Sequence, residues 1–447
     1  MQLQLRQRVR CVIMGGGVSS RKHKAAQEVE PSIVTRASGG DAAQSQHALT
    51  VAPAVQTGSG SAPARAGAGC GAGAHGTAGG GKSCDGGGIG RDAPAQWVMP
   101  DETGCHARTW MAFGASDAVW HPKLQDAHLA LATIAATLSH YEPVTLLVRT
   151  QERGVARGLL AECGAAMGAV TLLDARMDDL WARDTGPVFV RNATTGTAAA
   201  VCFNFNGWGG KQKHRNDKLV AESIAKAAGV PLVTTELCLE GGSIEVDGEG
   251  TAIITESCVL NANRNPHWLS KAAVERELQR LIGVTKVIWL PGIKGKDITD
   301  GHTDFYARFA VPGTVVVGVD SDPTSYDHAV TNVHLEILRS ASDAKGRALK
   351  VVEMHGPCEV RPEYEAHEDF AAGYVNFYVA NGVVLLFKFG DAKADRAALE
   401  TLQGLFPDRD VVALEIDAIA WGGGGIHCCT QQQPAPWEGN GAGTTDG

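Results

Sequence analysis

An α/β fold built from five repeated modules closed into a ring is what this 447-residue sequence predicts. Three observations carry that expectation. A β-hairpin, a helix and a further strand recur in order down the chain, an internal repeat without obvious identity between copies. Polar signatures head the units: Trp181-Ala182-Arg183-Asp184, Leu239-Glu240-Gly241-Gly242, Gly301-His302-Thr303-Asp304 and, near the C-terminus, the glycine-rich run from Trp421 to Thr430. Their spacing keeps step, with 56 residues from Asp184 to Glu240, 62 from Glu240 to His302, and 126, twice 63, from His302 to Cys428.

The elements follow in order. Compact structure is expected from about Trp97-Val98-Met99-Pro100, with a short strand over 109–113. Leu124, Leu129, Leu131, Ile134 and Leu138 recur at roughly helical spacing within 122–140, followed by a strand over 144–148. A helix over 153–167 and a strand over 170–173 complete this first, less regular unit. The second pairs 188–190 with 200–205, then runs through a helix over 216–228, stopped by Gly229, to a strand over 232–237. The third pairs 243–246 with 251–255 across Asp247-Gly248, a strong hairpin signal, and continues with a helix around 267–281 and a strand over 287–290. The fourth pairs 304–309 with 315–319 across Pro312-Gly313, then a helix over 326–339 and a strand over 349–353. The fifth pairs 375–379 with 383–389 across Asn381-Gly382, then a helix over 392–405 and a strand over 411–416. A final strand carrying Cys428 would pair with the first unit and close the ring. Each signature would then aim at one axis.

Composition sets the boundaries. Residues 1–93 are dominated by Gly, Ala, Ser and isolated Arg, too little apolar surface to offset the entropy of ordering. They read as a disordered extension, and 437–447 as a disordered tail. That leaves a catalytic domain over 94–436, roughly 340 residues and ample for a large core. Arg6, Arg8, Arg10, Arg21, Lys22 and Lys24 all precede the first acidic residue, Glu28. Such a basic, acid-poor start reads as a transit peptide for a plastid or mitochondrion, or as an extension without an address. The net charge of −9, with no basic block in the folded part, argues against nucleic acid or a membrane surface as partner. A mildly acidic protein suits a small cationic substrate. No run of about eighteen apolar residues exists, so no transmembrane helix is expected. Eleven scattered cysteines without a C-x-x-C pair fit a reduced, intracellular chain. The oligomeric state is open, a homo-oligomer included.

A thiol, an imidazole and three carboxylates gathered on one axis define a chemistry. Cys428 is a candidate nucleophile, activated by a neighbouring positive charge or a base. His302 can serve as general acid and then base. Glu240 would orient His302 and favour its protonated form. Carboxylates at Asp184 and Asp304 suit a cationic substrate with several N–H donors, and a guanidinium matches their oxygens in paired hydrogen bonds. A metal site on His302, Asp304, His427 and Cys428 is the rival reading. It is weakened because adjacent strand residues point to opposite faces, so His427 and Cys428 would not share an ion. No metal or cofactor is expected.

These residues carry a resemblance. WARDTGP, FNGWGGK, LEGGSIEVDGEG, ESCVLNANRNP, DGHTDFYARF and GGGGIHCCTQQQP resemble the agmatine deiminase family, related to bacterial-type peptidylarginine deiminases, over about residues 99–434. The resemblance implies the pentein fold, a five-module pseudo-symmetric α/β propeller. It also implies hydrolysis of a guanidine to a ureido group without cofactor or metal. Cys428 matches the family's nucleophile, His302 and Asp304 its G-H-x-D, Asp184 its R-D-x-G-P and Glu240 its E-G-G. By the same resemblance Cys428 attacks the guanidine carbon, His302 protonates the departing ammonia, and a water activated by His302 hydrolyses the amidino-cysteine. Asp184 and Asp304 clamp the guanidine nitrogens, and Trp208 and Trp421 help exclude water. Two positions depart from the family pattern, Glu245 where a histidine is usual and Phe113-Gly114 where tryptophan-proline is usual. Glu245 is the candidate acceptor for the amine end of the substrate. Agmatine is the leading substrate. Free or peptidyl arginine, and a catalytically idle propeller acting as a binding module, are the alternatives.

Overall fold

The computed structural model describes residues 97–436 apart from 268, 269 and 368. The N-terminal extension with its transit reading and the tail over 437–447 lie outside these residues. Among the described residues no helix is long and apolar enough to cross a membrane.

Five small sheets are present, one for each expected module. Three follow one plan. Ile244–Val246 pairs antiparallel with Thr251–Thr255, which pairs parallel with Lys286–Leu290. Ala307–Val311, Thr314–Val319 and Lys350–His355 repeat that arrangement, as do Tyr378–Ala380, Val383–Phe387 and Asp410–Leu414. A parallel partner needs a crossover. The helices Lys271–Ile282, Tyr326–Ser340 and Ala392–Leu405 supply it. The second module adds Trp97–Val98 as an edge beside Val188–Asn192, Ala198–Cys202 and Leu232–Thr234. In the first, His106–Phe113, Val144–Val148 and Val170–Asp174 lie parallel, and the antiparallel partner comes from the other end of the chain, Thr430–Pro434. That pairing closes the ring as expected.

The central strands read as unbroken apolar runs because both faces are covered. Every residue of Val144–Val148 and of Val383–Phe387 is buried. The largest apolar cluster spans the first and fifth modules, including Phe377, Phe387 and Phe389. Each such side chain contributes about 1.5–3 kcal/mol relative to exposure. The helix Ala392–Leu405 starts where expected because the Asp391 side chain accepts from the N–H groups of Lys393 and Ala394.

Several expected elements are shorter than the pattern indicated, among them the strands expected over 232–237 and 375–379, which are Leu232–Thr234 and Tyr378–Ala380. The helix beginning at Arg153 ends at Glu162, because Cys163 and Gly164 (φ 76°) turn the chain back onto Leu160. The strand expected over 200–205 ends at Cys202, ahead of Asn204, which has φ 56°. The segment carrying Cys428 is a correction of another kind. His427–Cys429 is a turn of 3₁₀ helix, and the closing strand begins only at Thr430.

Candidate active site

The glycine run works mainly by allowing close approach. A Cβ on Gly422 would stand 2.2 Å from the Trp120 ring, on Gly424 2.3 Å from the Trp181 ring, and on Gly425 1.9 Å from Oδ1 of Asn376. The chain can therefore pass against these side chains before Ile426–Cys429 coils. The coil overturns the strand-alternation argument. His427 Nδ1 contacts Oδ2 of Asp304 at 2.7 Å, and the Cys428 thiol approaches the same oxygen at 3.6 Å. Cys429 is fully buried in the apolar core.

A cleft of about 1140 Å³ is lined by Cys428, His302, Asp184, Trp208 and Trp421, five of the residues singled out in the sequence. Asp304 and Glu240 lie just beneath its surface. These residues come from several modules. Asp184 sits in the short turn Ala182–Thr185, and His302 precedes the 3₁₀ turn Thr303–Phe305, which carries Asp304. Gly242 packs between them. A Cβ there would lie 2.6 Å from His302 Nδ1 and 3.0 Å from both Asp184 Oδ1 and Asp304 Oδ2.

His302 Nε2 donates to Oε2 of Glu240 at 3.2 Å. Its Nδ1 is buried, has no hydrogen-bond partner, and stands 3.8 Å from Oδ1 of Asp184. Burial disfavours charge on this imidazole, but Asp184 and Glu240 outweigh it and hold the pKa well above the ordinary histidine value. Glu240 is anchored by Arg264, whose Nε donates to both carboxylate oxygens at 2.8 and 3.0 Å. Burial raises the Glu240 pKa, yet Arg264 and His302 bring it below the usual carboxylate range.

Asp184 accepts from Trp208 Nε1 at 3.0 Å and from the Gly242 N–H at 3.1 Å. Burial, with Asp304 and Glu240 nearby, raises its pKa despite His302. Asp304 is also buried, but the hydrogen bond from His427 brings it below the ordinary value, and its Oδ1 has no partner. Burial, then Asp304 and Asp184, push the Cys428 thiol well above the usual cysteine range.

Glu245 does not belong to the cleft. Its Oε2 accepts from Arg308 Nε and its Oε1 from the Phe309 N–H, both at 2.8 Å, and burial raises it to about 7. The demand of the buried Arg308 for a counter-charge holds it there. The carboxylates that do line the cleft are Asp184 together with Asp179, Asp297, Asp320, Asp322, Asp327 and Asp369, against Lys211 and Lys296.

Asn376 was not anticipated. Its Nδ2 lies 3.4 Å from Cys428 Sγ, and its Oδ1 accepts from the His427 N–H at 3.1 Å. The one signal was a lone amide inside the apolar run 374–379. Among the described residues, Glu240, Cys258 and His302 bring potential metal ligands within 4.8 Å of one another. A cation there would compete with Arg264, which already binds both oxygens of Glu240.

Comparison with known proteins finds relatives over most of the chain. An agmatine deiminase of Medicago truncatula is 37% identical over 366 residues, covering 75% of this chain and 96% of its own. One from Pseudomonas aeruginosa strain LESB58 is 36% identical, covering 76% and 95%. The solved agmatine deiminase of Enterococcus faecalis superposes with a TM-score of 0.69 at 32% identity, over 76% of this chain and 97% of that one. These relationships are those of the five-module α/β propeller, the pentein fold. The family model for Porphyromonas-type peptidyl-arginine deiminases matches residues 98–434, and the chain belongs to that family.

Proposed function

We propose that this chain is an agmatine deiminase, a hydrolase that converts agmatine and water to N-carbamoylputrescine and ammonia. The observation that carries the reading is the meeting of the Cys428 thiol with Asp304, Asp184 and the protonated His302 at one acidic cleft. By themselves the carboxylates oppose a thiolate. A bound guanidinium brings positive charge against the same carboxylates and reverses that balance. Cys428 then attacks the guanidine carbon. His302 has a free Nδ1 and a raised pKa, which suit it to protonate the nitrogen that leaves as ammonia. The neutral imidazole then takes a proton from the water that attacks the amidino-cysteine, and the carbon–sulfur bond breaks to release the ureido product. Glu240, braced by Arg264, keeps His302 in register through both steps. Asp184 is fixed by Trp208 and Gly242 and accepts from the guanidine. The unpartnered Oδ1 of Asp304 offers a second acceptor.

Agmatine carries a second cation at its far end, whereas arginine carries a carboxylate there as well. Seven aspartates lining the cleft against two lysines favour the purely cationic molecule. Ammonia release from agmatine, arginine and a blocked arginine peptide, assayed in parallel on the full chain, tests the reading. Agmatine should be turned over fastest. Arginine or the peptide matching it would overturn the substrate assignment while leaving the deiminase chemistry in place.

A further inference from the structure

Glu102 takes no part in the chemistry above, yet it is among the most heavily engaged carboxylates of the core. It precedes the strand His106–Phe113 and accepts from Arg183 Nη2 at 3.0 Å, Arg308 Nη2 at 2.7 Å, the Val379 N–H at 2.9 Å and His427 Nε2 at 2.9 Å. Those donors come from four separate parts of the chain. All three side-chain donors are essentially buried.

The hydrogen-bond count around His427 does not balance for a neutral ring between two carboxylates. Nδ1 faces Asp304 at 2.7 Å and Nε2 faces Glu102 at 2.9 Å. A neutral imidazole has a single N–H, and an ionised carboxylate only accepts. One of the two contacts would then set a nitrogen lone pair against a carboxylate oxygen in a buried site, a costly arrangement. Burial, Arg183 and Arg308 work against charge on His427 and set its pKa below the ordinary histidine value, while Glu102 and Asp304 work for charge; the two short contacts, not that direction, carry the proton count. The other titratable groups facing this set are Glu245 beyond Arg308, Tyr378 beside Glu102 and Arg183, and His302, Asp184 and Cys428 near Asp304. Satisfying both short contacts requires one proton more than a neutral ring supplies.

We propose that Glu102 is a positioning residue for catalysis, which keeps one extra proton on the Glu102–His427–Asp304 chain. That proton ties Oδ2 of Asp304 in place beside Cys428 and leaves Oδ1 open as an acceptor. It also offsets part of the Asp304 charge felt by the sulfur, so it eases formation of the thiolate. Glu102→Gln removes the second carboxylate and with it the reason to hold the extra proton. The thiol pKa then rises, and the acid limb of kcat/KM moves to higher pH.

Only the activity arm rests on the deiminase reading, so wild-type turnover of agmatine is measured first. An inactive wild type refutes that reading and leaves the proton count to diffraction. With active wild type, Glu102→Gln should lower kcat/KM near neutrality by ~10–100-fold, the loss of one hydrogen bond to a charged group. Its acid limb should move up by about one pH unit or more. Glu102→Asp, which keeps the charge, should leave the limb in place even if turnover drops. A merely structural role would lower the melting temperature of both variants with neither limb moved, and that result overturns the proposal. Neutron diffraction from perdeuterated wild-type protein is independent of any variant. Deuterium in both the Asp304–His427 and His427–Glu102 contacts is expected, and a contact without one overturns the inference.

Discussion

Sγ of Cys428 rests 3.6 Å from Oδ2 of Asp304, so the proposed nucleophile lies against a carboxylate. Burial, Asp304 and Asp184 together hold it as a thiol near neutral pH. A neutral alkylating agent should therefore modify Cys428 slowly at pH 7, with a rate that climbs as pH rises. A cationic haloacetamidine supplies the missing positive charge and should react much faster at the same pH. Peptide mapping of the adduct, with rates followed by loss of turnover, checks this. Equal rates for the two reagents, independent of pH, would show that the thiolate pre-exists.

Gly242 should tolerate no side chain at all. Its missing Cβ would come within 2.6 Å of His302 Nδ1 and 3.0 Å of two carboxylate oxygens, so Gly242→Ala must displace the acid or the clamp. Misplacing such groups by about an ångström can cost on the order of 10²-fold. The expected result is a folded protein with kcat depressed by at least that factor. Near-normal kcat would mean that the three groups can shift without consequence.

Most of the architecture was legible in the sequence because the central strands announce themselves. Runs such as Val144–Val148 and Val383–Phe387 are apolar on both faces, and Asn381-Gly382 marks a hairpin whose Gly382 has φ 71°. The residues gathered at the cleft were legible for a related reason, since Asp184, Glu240, His302 and Cys428 each sit where a module turns inward. What escaped was set by long-range partners. Asn376, Glu102 and Arg308 matter through contacts with residues far away in the chain, which no local pattern reports. Glu245 was assigned to the amine end of the substrate because it stands where the family pattern has a histidine, and its partner Arg308 lies 63 residues on. The placement of His427 relative to Cys428 was misjudged because local alternation assumed a strand where the chain coils.

Asp300 links the cleft loop to the support of the general acid. Its Oδ1 accepts from Lys211 Nζ and the Gly295 N–H at 2.8 Å, and its Oδ2 from Arg264 at 2.7 Å and Asn263 at 3.0 Å. Burial raises its pKa, but Lys211, Asn263 and Arg264 bring it down to about 2 from 3.8. A depressed carboxylate pKa stabilises the fold above the unfolded value and loses that contribution as pH falls through the folded value. Asp300→Asn should accordingly unfold at lower urea than wild type at pH 7. The gap should narrow between pH 3.8 and about 2, over the range where wild type still folds. A gap that stays constant with pH would show that the charge of Asp300 contributes nothing.

The two adjacent thiols should behave oppositely. Cys428 lines the cleft, while Cys429 is wholly buried in the largest apolar cluster and is absent from the cleft wall. A serine hydroxyl at neutral pH offers no anion to attack a guanidinium, so Cys428→Ser should lose several powers of ten in kcat. Cys429→Ser places a hydroxyl among apolar neighbours, at a cost of roughly 1–3 kcal/mol in stability, and should keep most of the turnover. Acid quench of labelled agmatine on wild-type protein should trap the amidino group on a peptide modified at Cys428. The two serine variants then separate chemistry from packing, since one loses kcat at an unchanged melting temperature and the other does the reverse. Label on Cys429, or wild-type turnover by Cys428→Ser, would remove Cys428 as the nucleophile and with it the proposed reaction.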